Sequence, residues 1–208
     1  MDLLNISPVN TRVTLIQFSK YTSFYAIMDG SRTTINDAID YMRYDQESSW
    51  TYTDEAIYYA WDNIQQYGRT DVTQVQILMT DGASTFGLYL YDDTTGDYTY
   101  PAVNLIHGYN ITSFAIGIGA GTSSAELNEI ATDPDEEFVY DIDSYSNLND
   151  IYMKITNAVC QEVNSDSGLR SLPRATPNLR RIMNDSQKVP VTRKESLIPR
   201  VQPDGEPM

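Results

Sequence analysis

From about residue 13 to residue 159, short apolar runs alternate with stretches in which apolar residues recur every three or four positions. Val13-Thr14-Leu15-Ile16-Gln17-Phe18 reads as a buried strand, and Thr22-Ser23-Phe24-Tyr25-Ala26 alternates like an edge strand. Residues 34–44 place Ile35, Ala38, Ile39 and Met42 at helical spacing. A longer helix is predicted from Thr53, with Asp54 and Glu55 in its first turn, where the helix dipole favours negative charge. Its apolar face is Ala56, Ile57, Ala60, Trp61 and Ile64, and Gly68 closes it. Val75, Ile77, Leu78 and Met79 form a near-continuous apolar strand of the kind covered on both faces. A polar, Tyr-rich loop is expected over about 83–99, then a helix over about 100–109 with Pro101 early in it. Ile111–Ile118 is the next strand, Ser124 caps a short helix, and Phe138-Val139-Tyr140 is a final strand. A last helix, about 146–159, buries Leu148, Ile151, Ile155, Ala158 and Val159. Strands alternating with helices imply an α/β fold: a doubly wound, mostly parallel sheet.

Beyond about residue 162 the periodicity stops. The expected organisation is a domain over 1–162 and a disordered, Pro- and Arg-containing tail over 163–208, which cannot bury enough apolar surface to offset its ordering entropy. Charge divides along the same line. Residues 1–164 hold 24 Asp/Glu against 6 Lys/Arg, a net −18; residues 165–208 hold 8 Lys/Arg against 5 Asp/Glu, a net +3. So acidic a domain repels phosphate backbones, which argues against nucleic acid as its partner.

No run of eighteen apolar residues is present, so no helical membrane span is expected. Met1-Asp2-Leu3-Leu4 lacks the basic start of a signal peptide. Cys160 stands alone, which excludes a disulfide framework or cysteine-rich zinc site within the chain and leaves a buried thiol or half of a disulfide. Asn5, Asn110 and Asn184 head N-x-S/T sequons, a weak pointer to secretion.

Candidate chemistry concentrates where strands end. Asp81 and Gly82 follow the strand at 75–80, at the carboxyl edge where open α/β sheets bind ligands. Two enzyme readings compete there. Gly117-Ile118-Gly119-Ala120-Gly121-Thr122 follows a strand and precedes a helix, with Asp141 about twenty residues on, and so mimics a dinucleotide fingerprint. Thr122 stands where its third glycine belongs. Asp81 could also serve metal-dependent phosphoryl transfer, although Ala83 occupies the place of a second acidic residue. His107, the only histidine, lies away from any strand end, and no G-x-S-x-G occurs, so a Ser-His-Asp hydrolase has nothing to build on.

Thr51-Tyr52-Thr53 before a helix, Thr80-Asp81-Gly82 after a strand, Phe114–Gly119, Leu15–Ser19 and the closing Cys160 occur in an order that resembles a von Willebrand factor type A domain. The similarity covers about residues 1–162. It implies a non-enzymatic, extracellular adhesion or matrix module that binds protein ligands through the carboxyl edge of its sheet. It also implies a metal-ion-dependent adhesion site holding Mg²⁺ or Mn²⁺, onto which Thr51 and Asp81 are carried as ligands. The family's D-x-S-x-S loop has no match here. In the family that loop ends a central strand lying between the counterparts of 13–18 and 75–80. The resemblance thus implies a domain truncated at its N-terminus, with an incomplete adhesion site and little cation affinity of its own. The family partner of Cys160 would also lie upstream. Tyr89 and Tyr91, in the loop at that edge, are candidate contact residues, with packing onto their own domain as the alternative.

Overall fold

The computed structural model describes residues 4–42, 50–92, 97–148 and 151–157. Strands β1 (Val13–Phe18) and β2 (Thr22–Asp29) form an antiparallel hairpin, with Phe18 opposite Thr22. Its register slips on both sides of Leu15, and Met28 takes a left-handed φ of 45°. The Met28 N–H donates to Thr14 Oγ1 (3.0 Å), whose hydroxyl donates to Asn63 Oδ1 (2.6 Å). This irregularity is thereby tied to the long helix above it.

Helices α1 (Arg32–Met42) and α2 (Thr53–Tyr67) follow. In α1, Ile35 and Ala38 are buried while Ile39 is exposed, so its apolar stripe is narrower than its sequence. In α2, Ile57, Trp61 and Ile64 enter the core as the spacing predicts, and Tyr59 joins them. Gly68 closes α2 with φ −66°, an ordinary value. Glycine is needed there for room, because a Cβ would overlap the Ile64 carbonyl.

The parallel sheet consists of β3 (Val75–Thr80), β6 (Thr112–Ile118) and β7 (Val139–Ile142), with β6 in the middle. All seven residues of β6 are buried, as expected of a strand paired on both edges and covered on both faces. Its Phe114 ring lies 5.0 Å from that of Phe138, centroid to centroid, within a core shared with α2 and the segment 102–106. β3 departs from the sequence reading. Leu78 is buried, but Ile77 and Met79 on the opposite face are 45% and 52% exposed. Among the described residues, β3 pairs only with β6, and β1 only with β2.

Where a loop is predicted over 83–99, there is an antiparallel ribbon of β4 (Tyr89–Asp92) and β5 (Asp97–Pro101). Period-two alternation explains it: Leu88 and Leu90 are buried in the core, while Tyr89 and Tyr91 face outward. Pro101 ends β5 rather than opening a helix, and α3 is shorter than predicted, Val103–His107. Helix α4 (Ser124–Ile130) is capped by Ser123, one residue earlier than expected; its hydroxyl accepts the Glu126 N–H at 3.4 Å. A helical turn, α5 (Asp135–Phe138), leads into β7. Near the end, residues 151–157 are helical with Ile151 and Ile155 buried, as predicted. Ala158, Val159, Cys160 and the tail from 163 lie outside the described residues.

Candidate functional site

Thr51 and the Asp81–Gly82 turn lie on different parts of the chain and approach each other at one edge, through Gly82. Asp81 and Gly82 follow β3, and Thr51 sits two residues before α2. The Thr51 hydroxyl oxygen is 3.2 Å from where a Cβ on Gly82 would stand, so a larger residue at 82 would crowd it. Backbone bonds hold the arrangement. The Thr85 N–H donates to the Thr51 carbonyl at 2.9 Å, the Thr51 N–H donates to Thr85 Oγ1 at 3.0 Å, and the Tyr52 N–H donates to the Ser19 carbonyl at 3.0 Å. The segment 51–52 therefore stitches the end of β1 to the turn after β3.

The turn after β3 is braced from its other side. Thr80 Oγ1 donates to the Gly82 carbonyl (2.8 Å), the Ala83 N–H donates to the Gly121 carbonyl (2.8 Å), and the Ser84 N–H donates to the Glu126 carboxylate (2.8 Å). The sequence places Glu126 three residues after the cap Ser123, where a capping box would turn its carboxylate back to the helix start. Glu126 instead reaches across to the Asp81 turn. On the open side the Tyr145 hydroxyl donates to Asp81 Oδ2 at 3.5 Å. Desolvation first, and the Asp81 carboxylate second, raise the Tyr145 phenol above its ordinary pKa.

Asp54 lies at the base of the same edge, 3% exposed, with Oδ1 lacking a hydrogen-bond partner among the described residues. Burial pushes its pKa up to about 6, against the lowering effect of the backbone N–H groups of Glu55 and Asp54. Above it is an aromatic cluster. Trp50 stacks on Phe86 (6.2 Å between centroids, 14° between planes), and Phe86 stacks on Tyr98 (5.2 Å, 17°). Tyr52 and Tyr91 flank them, each 5.2 Å from its neighbouring ring. Sequence reasoning pointed to Tyr89 and Tyr91, which are 43% and 40% exposed, but missed Trp50 and Phe86. The available signal was their spacing: Trp50 adjoins Thr51, and Phe86 follows Gly82 by four residues.

The glycine loop after β6 has another use than cradling phosphate. A Cβ on Gly117 would meet Leu127 and crowd Thr122 and Asp141, and one on Gly121 would stand 2.5 Å from the Asp81 carbonyl oxygen. These glycines let the loop pack against the Asp81 turn, and α4 behind them has seven residues. A dinucleotide reading is not favoured by this packing. His107 closes α3 with a ring nitrogen 3.1 Å from the Glu129 carbonyl oxygen, remote in role from the edge.

Among the described residues, no group of three or more His, Cys, Asp or Glu is placed to hold a metal ion. Thr51 and Asp81 supply one neutral hydroxyl and one carboxylate, whereas Mg²⁺ and ions like it demand a near-octahedral set of oxygens. The residues present do not by themselves fit such a cation. Nor does any described helix have the length and apolarity to cross a membrane.

Comparison with known proteins identifies the family. The family model described as von Willebrand factor type A domain matches residues 1–154. Vitrin from Bos taurus is 29% identical over 162 residues, covering 77% of this chain and 23% of that protein. The collagen alpha-1(XXI) chain from Xenopus laevis is 30% identical over 165 residues, covering 76% of this chain and 15% of that protein. The chain thus spans less than a quarter of the length of these relatives. Among solved structures, proximal thread matrix protein 1 from the mussel byssus has a TM-score of 0.57 at 22% identity, with 75% of this chain and 36% of that one covered. Another structure of that mussel protein, TM-score 0.58, is described as having a zinc-occupied MIDAS motif. By the match of three-quarters of its length, this chain belongs to the von Willebrand factor type A domain family.

Proposed function

We propose that this chain is a non-enzymatic protein-binding module of extracellular adhesion or matrix type, engaging its ligand at the rim where Thr51 meets the Asp81 turn. The observation that carries the reading is the stitching of residues 51–52 to both the end of β1 and the turn after β3. It delivers a hydroxyl and a carboxylate to one open edge, in the family's order. Relatives of adhesion and matrix type, vitrin, matrilin-2, collagen chains and integrin alpha-X, support the class.

The edges of β1 and β3 are the place for a further strand. Their ends toward the rim share residues 51–52, and at their other ends Arg69 donates to the carbonyls of Val9 and Asn10. Exposed Ile77 and Met79 are what a strand with incomplete cover leaves bare. In this reading the further strand brings the remaining oxygen ligands of a Mg²⁺ or Mn²⁺ site, to which Thr51 and Asp81 contribute. In the same reading residues 1–162 are a partial domain, followed by residues 163–208.

The test is binding of the full chain to cell-free matrix laid down by cultured fibroblasts. Saturable binding is expected, weakened at least about tenfold by Thr51→Ala with Asp81→Ala, the loss of a central contact pair. Unsaturable binding, or binding unchanged in a folded double variant, would remove this rim from the account.

A further inference from the structure

Trp50, Phe86 and Tyr98 form a row of three nearly parallel rings, each 40–43% exposed, and Tyr91 at the end of the row is equally open. Contiguous exposed aromatics on an acidic domain call for an occupant. Tyr98 sits within the electrostatic reach of Asp54 and Glu55, so the row lies in a negative field. Lys20, on the β1–β2 turn, is already placed over its neighbour Tyr21, 5.5 Å from the ring centroid. A matching ligand therefore presents flat apolar surface and positive charge together. Proline followed by arginine has that chemistry: the pyrrolidine packs on an aromatic face from a preset extended backbone, and the guanidinium stacks on a ring while facing carboxylates.

The chain carries this signature twice in its net-positive tail, as Ser171-Leu172-Pro173-Arg174 and Ser196-Leu197-Ile198-Pro199-Arg200. We propose that the Trp50–Phe86–Tyr98 row is the docking surface for the first of these, the Ser171–Arg174 stretch of the chain's own C-terminal tail. The opposed charges of domain and tail support the pairing. Length permits it. Pro173 is sixteen residues beyond Asn157, a length of chain that can span at most about 53 Å. A domain of this size has a radius of gyration of about 15 Å, so the rim is within reach. Because the row adjoins Thr51, a docked tail competes with an outside ligand for the same edge. The tail thus regulates the proposed binding site, but its docking is measurable without any outside partner.

The experiment is acrylamide quenching of tryptophan fluorescence in the full chain. Trp50 is 43% exposed and Trp61 is 3% exposed, so the quenchable signal reports Trp50. The comparison is a variant with Pro173→Ala and Arg174→Ala, both outside the described residues, with circular dichroism and Tm confirming an unaltered domain. Quenching is expected to rise at least about twofold, because a tethered segment at millimolar effective concentration keeps contacts of about 100 μM affinity mostly formed. The rise should be the same across a hundredfold range of protein concentration. Equal quenching in the two proteins overturns the proposal, and a difference that disappears on dilution overturns it in favour of docking between copies.

Discussion

Phe114→Ala should lower Tm by roughly 6–20 °C, the largest effect of any single change considered. Phe114 is fully buried at the centre of β6, the strand paired on both edges, and its ring packs against Phe138. Truncating such a ring costs about 3–5 kcal/mol, from lost transfer energy and the cavity left behind. For a domain of this size, each kcal/mol moves Tm by about 2–4 °C. Among the described residues β1 and β3 each pair along one edge, which leaves little reserve, so loss of cooperative unfolding is the extreme of the same outcome. The check is thermal unfolding followed by circular dichroism. A Tm within about 2 °C of the parent would mean that β6 is not the centre of the core.

Asp54→Asn should act in the opposite direction. Burial raises the folded-state pKa of Asp54 to about 6, from 3.8. Below the lower value the carboxyl is protonated whether the chain is folded or not, so it creates no pH dependence. Between the two values the folded state holds the proton and the unfolded chain has released it, so stability falls as pH rises. Above about 6 the full penalty is present, and two pKa units amount to up to about 3 kcal/mol. An amide of the same shape avoids that cost. The variant is expected to gain up to about 3 kcal/mol over the parent at pH 7.5 and little near pH 4. Urea unfolding at the two pH values measures it. A constant difference between the proteins at both would show that Asp54 does not titrate in this window.

Asp54 also shows how the sequence could be read and where it could not. As a first-turn acid of α2 it is legible, and its helix begins where predicted. Its burial is not legible, because a first-turn acid carries no record of what the fold packs over it. The strands at 13–18, 75–80 and 112–118 were readable because their apolar runs are short and cleanly bounded. The exposure of Ile77 and Met79 was not, since an apolar run carries no record of which face lacks a neighbour. At the rim, Thr51 and Asp81 stood out by resemblance. The role of Glu126 was hidden, because the same spacing serves a capping box or a reach across to Ser84. Trp50 and Phe86 were invisible as a pair for a related reason: 36 residues separate them in the chain, and only the folded backbone brings their rings together.

Titration of the isotope-labelled full chain with substoichiometric Mn²⁺, followed by amide NMR spectra, reads whether Thr51 and the Asp81 turn form one ligand-facing rim. Even a weakly held paramagnetic ion broadens only what it approaches. The expected result is early, local broadening at residues 51–52, 81–84 and 121–122, abolished by Asp81→Asn. Broadening that affects residue 82 while sparing residue 51 would show that the two do not share a rim.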